Sequence, residues 1–134
     1  MLRHGRIITK KMARKIDKSG IYVDAQNLLR TIYKAQFEIP KRDRPVLVTR
    51  MLDHTEAIIS NFALAYREDR LVDKRRYVDA MSAHFEALKV EIRMVVDGEA
   101  KMLKVPGLVN EIKELTVKLH EGIEKWRNSM VISE

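Results

Sequence analysis

Apolar residues near the C-terminus recur in steps of three and four, and this spacing constrains the fold more than any other feature of the sequence. Such spacing places side chains on one face of an α-helix, because a helix has 3.6 residues per turn. The preceding Pro106-Gly107 pair predicts a turn. We therefore predict a long amphipathic helix formed around Leu108, Ile112, Leu115, Leu119, Ile123, Trp126 and Met130.

Three earlier segments carry the same spacing and predict three more helices. Asp24 is the predicted N-cap of the first, Pro45 falls in the first turn of the second, and Gly98 ends the third. Four helices joined by short connections predict an all-α, antiparallel, up-down-up-down four-helix bundle. The predicted ranges are about 24–38, 45–69 and 75–98, with a polar linker over 70–74.

The composition narrows the possible chemistry and location. The 134 residues fit one domain, and none of them is cysteine. The lack of cysteine excludes disulfides, thiolate nucleophiles and cysteine-based metal sites, and it fits a cytoplasmic protein. No apolar run approaches the roughly 20 residues of a membrane span, so we expect no membrane partner.

The net charge of +7 is concentrated at the N-terminus. Residues 1–20 sum to +6, whereas residues 21–134 sum to +1, so we predict a basic arm over 1–20 ahead of a bundle over 21–134. Such an unneutralised segment is typical of tails that bind RNA or DNA. An organellar transit peptide and attraction to an anionic membrane are the alternatives. The candidate contacts in the arm are Lys10, Lys11, Arg14 and Lys15.

Basic residues also cluster at two predicted turns, which lie at opposite ends of the predicted bundle. A groove joining them would run the length of the bundle, with Lys89 and Arg93 among its walls, or cross between subunits. Phosphate contacts need only flexible cations, so both clusters are candidate nucleic-acid contacts. The alternative is a solvated surface balanced by interleaved acids such as Asp43 and Asp73. The cluster residues are Lys41, Arg42, Arg44, Lys74, Arg75 and Arg76.

No pattern in the sequence is typical of an active site. The Glu-x-x-His spacing of bundle metal sites is missing, as are the common nucleotide-binding and hydrolase motifs. We therefore expect no catalytic residue, no metal and no cofactor. His54 and His84 lie beside or within apolar stripes, where we expect hydrogen-bonded core or interface residues, although a bundle enzyme using them is a further hypothesis. Glu91 is expected at the edge of a stripe, exposed to solvent.

The apolar faces of the second and third helices are broader than a four-helix core requires. Surplus apolar surface is typical of self-association, so we expect a homo-oligomer. The alternative is the ordinary apolar fraction of any protein surface. The residues at the flanks are Val48, Leu64, Val78, Val90 and Met94.

Three stretches of the sequence carry a family resemblance: Ile39 to Arg44, Ile59 to Ala63, and a helix that opens at Arg76-Tyr77 and continues through 83–88. They resemble a bacterial family of four-helix bundles. That family includes the accessory variability determinants of diversity-generating retroelements and the proteins encoded in intervening sequences of large-subunit ribosomal RNA genes. The similarity covers about residues 24–130.

The resemblance implies a barrel-like homopentamer that binds nucleic acid and assists a reverse transcriptase in copying a template RNA. It implies nucleic-acid contacts at Lys41, Arg44, Arg75 and Arg76. The pair Leu64-Ala65 stands where the intervening-sequence branch usually has Glu-Gly, which favours the retroelement branch. The basic arm has no counterpart in the family pattern.

Charge and resemblance together predict a non-enzymatic, oligomeric nucleic-acid-binding accessory protein. The alternative is a helical protein-interaction module or scaffold that does not bind nucleic acid and whose basic residues serve solubility.

Overall fold

A computed structural model of the protein describes residues 20–98 and 102–130. Within these ranges the fold is all-helical and contains no strand, so the predicted all-α class is confirmed. The predicted basic arm, apart from Gly20, lies outside the described residues. The four α-helices are α1 (Gly20–Ala35), α2 (Thr49–Arg67), α3 (Leu71–Val96) and α4 (Pro106–Ser129).

Short helical turns fill the connection between α1 and α2. Two 3₁₀ turns, Gln36–Glu38 and Lys41–Asp43, are followed by a π-helical segment, Arg44–Val48, that leads directly into α2. Pro45 lies in the first turn of that segment, as predicted, where its missing N–H removes no helical hydrogen bond. The connection is therefore ordered backbone and not an open loop.

Two predicted helix starts were wrong. Asp24 lies inside α1 and is not its N-cap, because the buried Ile21 extends the apolar face by another turn. The predicted linker over 70–74 is mostly helix, since α3 begins at Leu71. One Glu68 carboxylate oxygen accepts hydrogen bonds at 3.1 Å from the backbone N–H groups of Asp69 and Arg70. These bonds stabilise a connection between α2 and α3 that is shorter than the predicted linker.

The core contains the apolar stripes of all four helices, with Phe62 of α2 among its largest buried side chains. Its ring centroid lies 5.2 Å from that of Trp126 on α4, 5.7 Å from Tyr66 on α2 and 6.2 Å from Tyr22 on α1. Aromatic pairs at these distances add to the free energy gained by burial. The predicted stripe of α4 is confirmed by burial of Ile112, Leu115, Leu119, Ile123 and Met130.

Helix α4 packs against α1 along much of its length. Near one end, a Cβ atom added to Gly122 would lie 3.1 Å from Cγ1 of Ile21, so the two helices approach closely there. Near the other end, the hydroxyl of the buried Thr31 donates a hydrogen bond of 2.7 Å to Glu111. The start of α1 therefore lies beside the end of α4.

Helix α4 also packs against α3, and polar contacts mark both ends of this pair. Arg75 donates a hydrogen bond of 2.6 Å to the carbonyl oxygen of Met130, while Lys113 forms an ion pair of 2.9 Å with Asp97. Helix α2 completes the arrangement by packing against both α1 and α3.

The apolar residues predicted at the flanks of the second and third helices divide into a buried and an exposed group. Val48 and Val78 are buried in the core, whereas Leu64, Val90 and Met94 are exposed by 36%, 57% and 50%. The structure thus leaves apolar surface on the outer face of α3. Over the described ranges, none of the helices combines the length and apolar content needed to cross a membrane.

Helix α3 ends at Val96, and the predicted stop at Gly98 is confirmed. A Cβ atom at residue 98 would lie 2.5 Å from the backbone oxygen of Met94, a distance that no side chain tolerates without movement of the chain. Leu103 lies against this end of α3, because its N–H donates a hydrogen bond of 3.1 Å to the carbonyl oxygen of Val95. Glycine is required here by a close approach.

Replacing Phe62→Ala should lower the free energy of unfolding by about 3–5 kcal/mol, because the core cannot refill the space of the ring. Urea denaturation followed by circular dichroism measures this. The matched control is Phe37→Ala, the same change at a ring that is 66% exposed, which should cost less than about 1 kcal/mol. Equal losses in both variants would contradict the described core.

Replacing Gly98→Ala should lower the free energy of unfolding by more than about 1 kcal/mol, because the added methyl group collides with backbone. The control is Gly107→Ala near the start of α4, where nothing lies within 4 Å of an added Cβ. That variant should be neutral or slightly stabilised, since alanine favours helix. Thermal unfolding of both variants in parallel tests this, and a neutral Gly98→Ala would refute the close approach.

Candidate nucleic-acid interface

Arg44, a predicted nucleic-acid contact, is held by its own turn. Its Nε donates a hydrogen bond of 3.0 Å to the carbonyl oxygen of Ile39, and its Nη2 donates one of 3.1 Å to that of Phe37. The guanidinium also lies 5.9 Å from the centroid of the Phe37 ring. Arg44 therefore closes the connection between α1 and α2, and only part of its hydrogen-bonding capacity faces outward.

Lys41 and Arg42, in the same connection, are exposed. Arg42 lies 3.8 Å from the Asp43 carboxylate with 89% of its side chain exposed, a pairing that contributes little in water. The side chain of Lys41 forms no hydrogen bond or ion pair within the part of the chain that the structure describes. These two predicted cations are therefore free to contact an external anion.

The second predicted cluster is balanced by acids of its own helix. Arg75 pairs with Asp79 at 3.0 Å in addition to its hydrogen bond to the carbonyl oxygen of residue 130. Arg76 lies 3.7 Å from Asp73. Lys74 is half-buried. Most of the positive charge that the sequence shows at this turn is therefore matched by carboxylates within the fold.

The two clusters are not brought together. The first lies beside residues 102–105, which follow the C-terminal end of α3, whereas the second lies at the start of the same helix. A helix of 26 residues spans about 39 Å, so a ligand must be long to reach both clusters on one molecule. The arm residues Lys10, Lys11, Arg14 and Lys15 fall outside the described ranges.

Lys104, a cation that no pattern in the sequence indicated, lies near the first cluster. Lys104 and Met102 line a cavity together with Phe37, Lys41 and Arg44. Lys104 belongs to the connection between α3 and α4, and no spacing rule relates that connection to residues about 60 positions earlier. Only the packing of the helices brings them to one end of the molecule.

A second basic groove runs between α3 and α4. Lys89 and Arg93, which the sequence suggested as groove walls, face Lys113 and His120 across a floor that includes Ile92. Lys89 is paired with Glu86 and Lys113 with Asp97, each at 2.9 Å, so most of this charge is also balanced. The remaining positive charge makes the groove a lesser candidate for anion contacts.

His54 of α2 and His84 of α3 meet in a hydrogen bond between their Nδ1 atoms at 3.0 Å. The other nitrogen of His54, Nε2, lies 3.6 Å from the carboxylate of Glu91. The expectation that Glu91 lies in solvent was wrong, because the residue is only 9% exposed. Its second oxygen, Oε1, is buried and has no hydrogen-bond partner among the described residues.

This polar cluster links two helices, and its members do not surround one point. His84 and Glu91 contact opposite nitrogens of His54, and within the described ranges no group of three or more ligand side chains could hold a metal ion. Burial raises the pKa of Glu91 above its ordinary value of 4.5, and the charges of His54 and Arg50 offset this only in part. An enzyme using these histidines stays a hypothesis.

No protein-family model matches the sequence, and no curated protein matches it. The family resemblance, the pentamer and the reverse-transcriptase partner therefore stay predictions.

Replacing Glu91→Gln should stabilise the protein more at pH 7 than at pH 4. Because the pKa of Glu91 is raised on folding, the unfolded chain loses this proton first as the pH rises. The native protein therefore loses stability from about pH 4.5 up to the raised pKa, and the variant avoids that loss.

Urea denaturation at the two pH values measures the difference, and Glu114→Gln, an exposed site on α4, controls for the change in net charge. A variant that is less stable relative to the native chain at pH 7 than at pH 4 would show that the His54 interaction outweighs burial.

Proposed function

We propose that the protein is a non-enzymatic, oligomeric accessory protein of the cytoplasm that binds RNA or DNA. The observation that carries the proposal is the distribution of charge, with +6 of the net +7 in residues 1–20. A series of cations attracts a phosphate backbone regardless of sequence and releases its counterions. The globular part adds exposed cations, Lys41 and Arg42, at one end.

The proposed architecture is an antiparallel, up-down-up-down four-helix bundle behind this arm. Support comes from contacts at both ends of the helix pairs. In the pair α1 and α4, residue 21 lies beside residue 122 and residue 31 beside residue 111. In the pair α3 and α4, residue 75 near the start of α3 lies beside residue 130, and residue 97 at its end lies beside residue 113. Residue 22 of α1 also lies beside residue 62 of α2. These pairings are those of antiparallel neighbours.

The contacts within the fold change which cations we propose as nucleic-acid contacts. Arg44 and Arg75 each donate hydrogen bonds to backbone carbonyl oxygens, so both contribute to the fold, whereas the exposed Arg76 is paired only with Asp73 at 3.7 Å. Lys41 and Arg42 have no such role. The proposed contacts are therefore the arm and the first turn, with the second cluster contributing less.

The proposed homo-oligomer would present several arms to one nucleic acid. The exposed Val90 and Met94, one helical turn apart on α3, support self-association. The number five comes from the family resemblance alone. Several weak arms acting together would raise the overall affinity well above that of one arm.

The proposed partner enzyme is a reverse transcriptase of a diversity-generating retroelement. This part of the proposal comes from the family resemblance. The bound nucleic acid would be the template, and the basic scaffold would present it to the enzyme that copies it. A second candidate function, a helical protein-interaction module that binds no nucleic acid, is favoured by the same exposed apolar residues on α3.

Deleting residues 1–19 should weaken binding of a labelled oligonucleotide and reduce its salt dependence, while leaving α1 intact from Gly20. For a duplex, each lost phosphate contact should lower the slope of log K against log salt by about 0.9. Fluorescence anisotropy at several salt concentrations measures both effects. An unchanged slope would contradict the role of the arm.

Charge reversal tests the globular part separately. Lys41→Glu should weaken binding, whereas Lys125→Glu, the same change at an exposed site of α4, should weaken it less, because only residue 41 lies in the proposed interface. If the intact protein binds neither RNA nor DNA at low salt while remaining oligomeric, the protein-interaction module becomes the better account.

A further inference from the structure

Two aromatic side chains are exposed at the end of the molecule that carries Lys41. The chain has eight aromatic residues, and only Tyr33, 59% exposed, and Phe37, 66% exposed, lie mainly in solvent. Tyr33 is on the last turn of α1, and Phe37 is in the 3₁₀ turn that follows. The other six rings are buried or half-buried.

Folding alone does not explain this placement. Removing a phenylalanine side chain from water is worth about 1.5–3 kcal/mol, and Phe37 forgoes most of that gain. Tyr33 exposes its ring as well as its hydroxyl. Two large exposed rings four residues apart are therefore a feature of the surface and not of the core.

The backbone that carries Phe37 is held firmly. Arg44 donates hydrogen bonds to the carbonyl oxygens of both Phe37 and Ile39, and the Ile39 side chain is 1% exposed. An anchor in the core and two hydrogen bonds thus fix the turn on which the ring stands. A ring presented by an ordered turn can bind a partner at a low cost in conformational entropy.

Positive charge surrounds the exposed ring. Phe37, Lys41, Arg44 and Lys104 line an open surface cavity of about 460 Å³. Glu38 is the one acidic residue in that lining. The cavity therefore has a net positive charge beside an aromatic surface.

We propose that Tyr33, Phe37, Lys41 and Lys104 form a first-turn platform that binds unpaired bases of a single-stranded nucleic acid. The two rings stack on bases, and the two lysines contact the adjoining phosphates. Every base has a flat face, so such stacking tolerates any sequence. Bases inside a duplex are already stacked on one another, so the platform prefers a single strand.

This inference rests on the proposed nucleic-acid binding and adds the strandedness of the ligand and the residues that select it. Charge complementarity argues for a nucleic acid as the occupant, since a neutral apolar partner would leave the lysines of the platform uncompensated.

The test compares two labelled probes of equal length, a single-stranded oligothymidine and a duplex hairpin, in binding to the full chain. The variant Tyr33→Ala/Phe37→Ala should bind the single strand about 10-fold or more weakly, because stacking is worth roughly 1–3 kcal/mol per base. Its affinity for the duplex should change little. Its salt slope should stay the same, since no cation is removed.

Two further variants separate the two kinds of contact. Lys41→Ala/Lys104→Ala should lower the salt slope for the single strand by about 0.7 per lysine. Leu71→Ala/Val72→Ala removes two exposed apolar side chains at the start of α3, far from the platform, and should leave both affinities unchanged. Circular dichroism checks that each variant is folded.

Three outcomes would overturn the platform. An aromatic variant that binds the single strand as tightly as the intact chain would refute stacking. An equal loss of affinity for the single strand and the duplex would show that the rings support the turn and do not distinguish single-stranded from double-stranded nucleic acid. An intact chain that binds neither probe would overturn the proposed function as well, whereas the first two results leave that function standing.

Discussion

The burial of Phe62 is the contact on which the arrangement of the helices depends. Its ring on α2 meets Tyr22 of α1 and Trp126 of α4, so a single side chain fixes three helices relative to one another. The apolar stripes of the helices supply the rest of the core and the main favourable free energy. The packing of the helices then determines which side chains lie together at each end of the molecule.

The two ends use their arginines in similar ways. Arg44 and Arg75 both donate hydrogen bonds to backbone carbonyl oxygens that lie in a turn or just after the end of a helix. Positive charge that the sequence suggests as ligand-binding therefore serves partly to complete the fold. Lysines that do not bind backbone carbonyl oxygens, above all Lys41 and Lys104, are available to bind an external anion.

The sequence predicts some features of this fold well and others poorly, and the difference has physical causes. The apolar spacing in α4 and the stop at Gly98 are local, so periodicity and backbone sterics predicted them. The starts of α1 and α3 were misplaced, because packing of Ile21 and the hydrogen bonds of Glu68 override weak local preferences.

The candidate site was predictable only in part. Lys41 and Arg42 follow from a charge cluster at a proline turn. Lys104 and the role of Phe37 depend on contacts between distant segments, which no spacing in one sequence reveals. The burial of Glu91 was missed for the same reason, since its partner His54 belongs to another helix.

We propose above all that a single-stranded nucleic acid binds at the first-turn end of the molecule and along the arm. Ultraviolet cross-linking of a single-stranded oligonucleotide to the full chain, followed by mass spectrometry of the linked peptides, tests it directly. We expect cross-links within residues 31–44, which contain both exposed rings, and within the N-terminal 19 residues. Cross-links confined to residues 64–76 at the opposite end, or none at all, would contradict it.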